Sequence, residues 1–160
     1  MKTLGDKEYN EIWDKVYELL HFEPSCEYRG HSMDSVLPPF KIDGDYSVYG
    51  IEDMSDEQID VLFDRMGKIF ADITLKGQMI YALDWQHDSY IYDPHEEIAR
   101  IGDDCAPGFI PDGDYYFFIE SNFEFGYLGH PWREEVWIFG EKLIQAIDEV
   151  YAEFGCRKLL

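Results

Sequence analysis

The sequence predicts an α+β fold: a mostly antiparallel sheet of about five or six strands with three helices packed largely on one face. Two observations carry this. Three stretches repeat apolar residues at the helical period, and six shorter β-rich runs are bounded by Gly, Pro, Asp or Asn. Their order is α, β, α, β, β, β, β, β, α, which lacks the strand–helix alternation of a doubly wound parallel sheet. No linker or internal repeat divides the chain, and 160 residues suit one domain spanning 1–160.

The first helix is expected over 6–22. Tyr9, Ile12, Trp13, Val16, Tyr17 and Leu20 recur three and four apart, and Asp6 is placed to cap the N-terminus. Pro24, Gly30, Pro38, Pro39 and Gly44 then break any period, with extended backbone before the paired prolines. A short strand follows at Tyr46–Ile51. The second helix starts at Ser55, where Ser55-Asp56-Glu57-Gln58 forms a capping box. Ile59, Leu62, Phe63, Met66, Ile69 and Phe70 form its apolar stripe, and Gly77 is expected to end the segment.

Gln78–Trp85 and Tyr90–Tyr92 read as strands, joined by a turn at Gln86–Ser89. Residues 93–111 are irregular, with a helical turn over 96–100. Tyr115–Glu120 and Phe123–Leu128 form a hairpin around Ser121-Asn122. Tyr115–Ile119 and Glu135–Phe139 do not alternate, as expected of strands covered on both faces. The third helix spans 141–154, burying Leu143, Ile144, Ile147, Val150, Tyr151 and Phe154, and ends at Gly155.

Thirty-four acids against 13 bases give a net charge of −21, spread along the chain. Such a surface repels nucleic-acid phosphates and anionic membranes, so neither is an expected partner. It attracts and steers basic proteins. Three cysteines, Cys26, Cys105 and Cys156, lie far apart and form no C-x-x-C pair. They point away from a disulfide framework and towards a reducing cytoplasm. The N-terminus turns polar at once, unlike a signal peptide or spanning helix.

Two constellations carry chemical potential. Asp84 and His87 suit acid–base work or metal ligation, but three apart on a regular strand they would point to opposite faces. They meet only if the chain turns at Gln86; otherwise each is a strand-end residue bonded to backbone. His130, in Gly126-Tyr127-Leu128-Gly129-His130-Pro131-Trp132, is either a base in an aromatic pocket or a hydrogen-bonded corner residue. Tyr90, Tyr92, Tyr127 and Trp132 lie near turns and are the aromatics expected at the surface, with Glu120 beside them. Nucleotide-binding glycine loops, a serine-hydrolase elbow and zinc motifs are absent. Asp43-Gly44-Asp45 and Asp112-Gly113-Asp114 lack the ligand series of a calcium loop and read as turns. No metal or other cofactor is expected.

Tyr81-Ala82-Leu83-Asp84-Trp85-Gln86-His87, Pro111-Asp112-Gly113-Asp114-Tyr115-Tyr116 and Phe125–Trp132, with Tyr92-Asp93-Pro94 and Phe139–Ile144, together resemble a bacterial family, domain-of-unknown-function family 2716. The resemblance is densest over 79–147. It implies a small soluble bacterial protein and carries no catalytic residues or activity. By charge and size the chain is also similar to small acidic immunity proteins that neutralise toxins. The expected function is a non-enzymatic binding module for a basic protein partner, for example a toxin, with Tyr90, Tyr92, Asp84, Glu120, Tyr127 and Trp132 near the contact. The alternative is a small-ligand binder or metal-dependent enzyme using Asp84, His87 and His130.

Overall fold

The computed structural model describes residues 1–24, 40–96 and 107–160. The paired prolines at 38–39, Cys26, Cys105 and most of the helical turn expected over 96–100 lie outside the described residues. The elements are β1 (Lys2–Thr3), α1 (Asp6–Leu20), β2 (Tyr46–Gly50), α2 (Asp56–Ile73), β3 (Ile80–Asp84), β4 (Tyr90–Tyr92), β5 (Tyr116–Glu120), β6 (Gly126–His130), β7 (Glu135–Phe139), α3 (Glu141–Asp148), a 3-10 turn at Tyr151–Phe154 and β8 (Arg157–Lys158). The strands form one antiparallel sheet in the order β1-β4-β3-β5-β6-β7-β2-β8. The class is the expected α+β, with eight strands rather than five or six. The two additional strands, β1 and β8, are exposed two-residue pieces at opposite edges of the sheet, too short to carry a sequence period.

The sheet is the middle layer. Alternation sends Ile80, Ala82, Phe118, Tyr127, Val136, Ile138 and Tyr49 to one face, where Leu62, Met66 and Phe70 of α2 and Leu143 and Ile147 of α3 pack on them. It sends Leu83, Phe117, Ile119, Leu128, Trp137 and Val48 to the other, covered by Ile12, Trp13, Val16 and Leu20 of α1. Two of the three helices therefore share a face, and the third closes the opposite one. Each fully buried Leu, Ile, Val or Phe contributes roughly 1.5–3 kcal/mol. The non-alternating aromatics of β5 and β7 follow from this: both strands are central and buried on both sides.

The capping box of α2 forms as its sequence predicts: the Gln58 amide donates to Ser55 Oγ at 3.3 Å, and the Ser55 amide to Gln58 Oε1 at 2.9 Å. Other boundaries shift for identifiable reasons. Gly5 caps α1 in place of Asp6, and its amide donates to Glu8 Oε2 at 3.2 Å. α2 stops at Thr74, before Gly77, where the threonine hydroxyl donates to the Phe70 carbonyl at 2.6 Å. α3 ends at Asp148, and the chain tightens into a 3-10 turn closed by Gly155. The expected strand over 123–128 begins only at Gly126, because the preceding loop is held by Glu120. That carboxylate accepts from the Asn122 amide at 2.8 Å, Asn122 Nδ2 at 3.1 Å, Ser121 Oγ at 2.9 Å and the Glu124 amide at 3.4 Å. Phe123 adopts φ 62°, which no strand residue can.

Candidate functional site

β3 ends at Asp84, and the chain turns through Trp85 and Gln86. Ser89, fully buried, fixes this loop from three sides. Its hydroxyl lies 3.3 Å from the Asp84 amide, 3.4 Å from the Asp84 carbonyl and 3.4 Å from Trp13 Nε1 of α1. Its carbonyl accepts from the Leu4 amide at 2.8 Å. The turn brings His87 back onto Asp84, with Nδ1 2.9 Å from Asp84 Oδ1. The condition set by the sequence, a turn at Gln86, is met.

A third side chain joins them. β5 pairs with β3 so that Tyr116 faces Asp84, and the Trp85 amide donates to the Tyr115 carbonyl at 3.2 Å. This register sets Asp114, just ahead of β5, beside Asp84. Asp114 Oδ2 lies 3.5 Å from His87 Nδ1. One ligand atom from each of Asp84, His87 and Asp114 falls within 4.8 Å of the others. Both carboxylate side chains are 9% exposed, whereas the imidazole is 69% exposed. Burial, followed by the facing Asp84 carboxylate, raises the Asp114 pKa against the opposing pull of the Tyr115 amide. The hydrogen bond that the protonated His87 Nδ1 donates to the Asp84 carboxylate raises that of His87. Gly129 lets Tyr116 and Pro111 approach β6 closely: a Cβ there would meet the Tyr116 carbonyl at 3.0 Å and Pro111 at 3.2 Å.

His130 lies elsewhere. Its ring stands 5.2 Å from Tyr115 and 6.4 Å from Phe40, among the residues of the α1 face. Asp84, one residue past inward-facing Leu83, alternates to the opposite face with Ala82. The turn joins Asp84 to His87, and among the described residues the group that gathers there is Asp84, His87 and Asp114, without His130. His130 is buried, and among the described residues neither ring nitrogen has a hydrogen-bond partner. Burial, with Arg133 adding to it, lowers its pKa to about 3.

The aromatic and acidic residues expected at a contact surface divide. Tyr90 and Trp132 are half-buried. Tyr92 and Tyr127 are buried against the α2 and α3 face, and the Tyr127 hydroxyl donates to the Phe109 carbonyl at 2.7 Å. Glu120 is also buried and organises its own loop. These three side chains face inward, because nearness to a turn does not decide which sheet face a residue occupies.

Sequence reasoning missed a groove of about 410 Å³ at the other end of the sheet. Leu19, Leu20, Ile42, Phe123 and Phe139 supply apolar surface, and Asp43, Asp45, Glu124 and Glu141 the acids; no Lys or Arg lines it among the described residues. Gly140 shapes its wall: it holds φ +88°, and a Cβ there would fall 2.3 Å from Phe125 Cβ. The groove gathers four separate segments, so no local motif announces it. Asp114 was missed for the same reason. Its Pro-Asp-Gly-Asp segment bends over 112–114, and only the long-range β3–β5 register reveals the carboxylate's neighbours.

Among the described residues no helix is long and apolar enough to cross a membrane. No solved structure matches the chain. It is 34% identical over 161 residues to the uncharacterized protein YxiI of Bacillus subtilis (strain 168), covering 92% of this chain and 91% of that protein. The sequence pattern of the protein family of unknown function DUF2716 matches residues 3–144. With that span and that relative together, the chain belongs to the DUF2716 family.

Proposed function

We propose that this protein is a non-enzymatic binding module for a basic protein partner, received in the groove between the C-terminal end of α1, the β5–β6 loop and the start of α3. The observation that carries the reading is the groove's composition. Apolar surface accompanied by four acids, with no base among the described residues, suits lysine or arginine side chains, whose aliphatic stems pack on apolar surface while their heads meet carboxylates. Exposed Leu19 extends that floor outwards. The net charge of −21 supports the same partner, since it accelerates encounter with a cationic surface in a salt-dependent way. Neutralisation of a basic toxin is one concrete form of such binding, and the cytoplasm is the compartment that accords with three scattered cysteines.

The test is binding of an amphipathic Lys/Arg-rich helical peptide to the full chain, followed by titration calorimetry from low to high salt. An acidic peptide of the same apolar pattern serves as comparison. The combined variant D43N/D45N/E124Q/E141Q keeps the groove's shape and removes its charge. Selective binding of the basic peptide that weakens with salt and falls at least tenfold in the variant is expected. Equal affinity of variant and parent would remove the basis of the reading.

A further inference from the structure

We propose that Asp84, His87 and Asp114 form a binding site for one divalent first-row transition ion, of the zinc or manganese type, at the end of the sheet opposite the groove. The inference does not depend on the binding function proposed above.

Three features carry it. The first is the donor set. Two carboxylates and an imidazole are the mixed oxygen and nitrogen ligands such ions prefer, whereas calcium and magnesium favour oxygen alone. The second is spacing. Metal–ligand bonds of about 2.0–2.2 Å require ligand atoms no more than roughly 4.4 Å apart. The three atoms here already lie within 4.8 Å of one another, and exposed His87 is free to close the small remainder.

The third feature is the state of the two carboxylates. Both are about nine-tenths buried and face each other at the strand ends. Asp114 Oδ1 is taken by the Tyr115 amide at 2.7 Å, and Asp84 Oδ1 by His87 and, at 3.4 Å, by the Gln86 amide. Asp114 Oδ2 lies 3.5 Å from the imidazole, whose Nδ1 is already engaged by Asp84 at 2.9 Å, and the two carboxylates are themselves within hydrogen-bonding reach of each other. Two facing buried carboxylates with one shared imidazole leave negative charge that a cation would balance. Asp112 and exposed Asp88 lie close enough to act on the same tyrosines, Tyr116 and Tyr9, as this pair, and they add to the attraction. Three protein ligands leave coordination positions open on the solvent side, where His87 lies exposed.

The experiment uses the full chain stripped with chelator, then equilibrium dialysis and elemental analysis against Zn²⁺, Mn²⁺, Mg²⁺ and Ca²⁺ separately. One transition ion per chain is expected, held more tightly than magnesium or calcium. His87→Ala, an exposed change that leaves the core intact, is expected to weaken binding at least tenfold, as are Asp84→Asn and Asp114→Asn. Asp88→Asn is expected to change it less than threefold. No ion bound at millimolar concentration overturns the proposal. So does unchanged affinity in His87→Ala, which places the ion elsewhere, or an equal loss in Asp88→Asn, which reduces the effect to diffuse charge. The groove variant, whose changes lie at the other end of β5, is expected to keep its ion; failure of one proposal thus leaves the other standing.

Discussion

His130 contributes a separable part of this protein's acid sensitivity. The imidazole is 1% exposed and its pKa is pushed down to about 3, against an ordinary value near 6.5 in the unfolded chain. A base with a depressed folded pKa binds protons in the unfolded state first. Stability is therefore lost as pH falls below about 6.5, and the loss continues until the folded imidazole itself titrates near 3. From pH 7 to pH 5 the unfolded imidazole goes about one and a half units below its pKa, which costs about 2 kcal/mol. His87 and Asp114, whose pKa values are raised, contribute with the opposite sign, and Glu52 and Asp148, whose values are lowered, with the same sign, but all four do so equally in any variant that leaves them alone.

His130→Leu isolates the term. Its volume is close to that of histidine, and it removes two buried nitrogens that have no partner among the described residues. Urea unfolding at pH 7 is expected to show the variant as stable as the parent or more so. At pH 5 the variant's advantage is expected to grow by about 2 kcal/mol. Ring signals of His130 are expected to remain those of a neutral imidazole at pH 5 while exposed His87 titrates. A difference between the two proteins that stays constant from pH 7 to pH 5, or a His130 that titrates near 6.5, would refute the argument.

Three further outcomes rest on named hydrogen bonds. Ser55→Ala removes the acceptor for the Gln58 amide and is expected to cost about 1 kcal/mol, read as a lower urea midpoint with unchanged slope. Glu120→Ala strips the β5–β6 loop of its shared acceptor and is expected to cost about 2–3 kcal/mol, with faster amide exchange at Asn122 and Glu124. Tyr92→Phe and Tyr127→Phe are expected to differ in sign. The first deletes a buried hydroxyl with no partner among the described residues and is neutral or stabilising; the second breaks the bond to the Phe109 carbonyl and costs about 1 kcal/mol, both measured by denaturant unfolding.

What the sequence discloses here is what short stretches of chain decide by themselves. The capping box at Ser55 involves four consecutive residues, and it forms as read. The turn that returns His87 to Asp84 is likewise local. Which side of the sheet a residue faces is not local in the same way. Tyr92 and Tyr127 lie near turns, yet strand alternation directs both towards α2 and α3. The Glu120 side chain carries a charge, but satisfying the amides of its own loop keeps it buried. Asp114 becomes a neighbour of Asp84 only through pairing between segments about thirty residues apart, a register that composition and period do not encode.

The two proposed sites occupy opposite ends of one strand, and this geometry decides how far they influence each other. Tyr116 opens β5 beside the Asp84 corner, and Glu120 closes it beside the loop that supplies Asn122, Phe123 and Glu124 to the groove. Four steps along a strand span about 13 Å. At physiological salt the screening length is about 8 Å, so charge bound at one end is largely invisible at the other. At about 0.01 M salt that length exceeds the whole strand. A divalent ion in the corner would then reduce the negative field that draws a basic partner to the groove. Dependence of peptide affinity on the ion at low salt, and its disappearance at high salt, would follow from charge alone. Dependence that persists at high salt would instead require a structural change passing along β5.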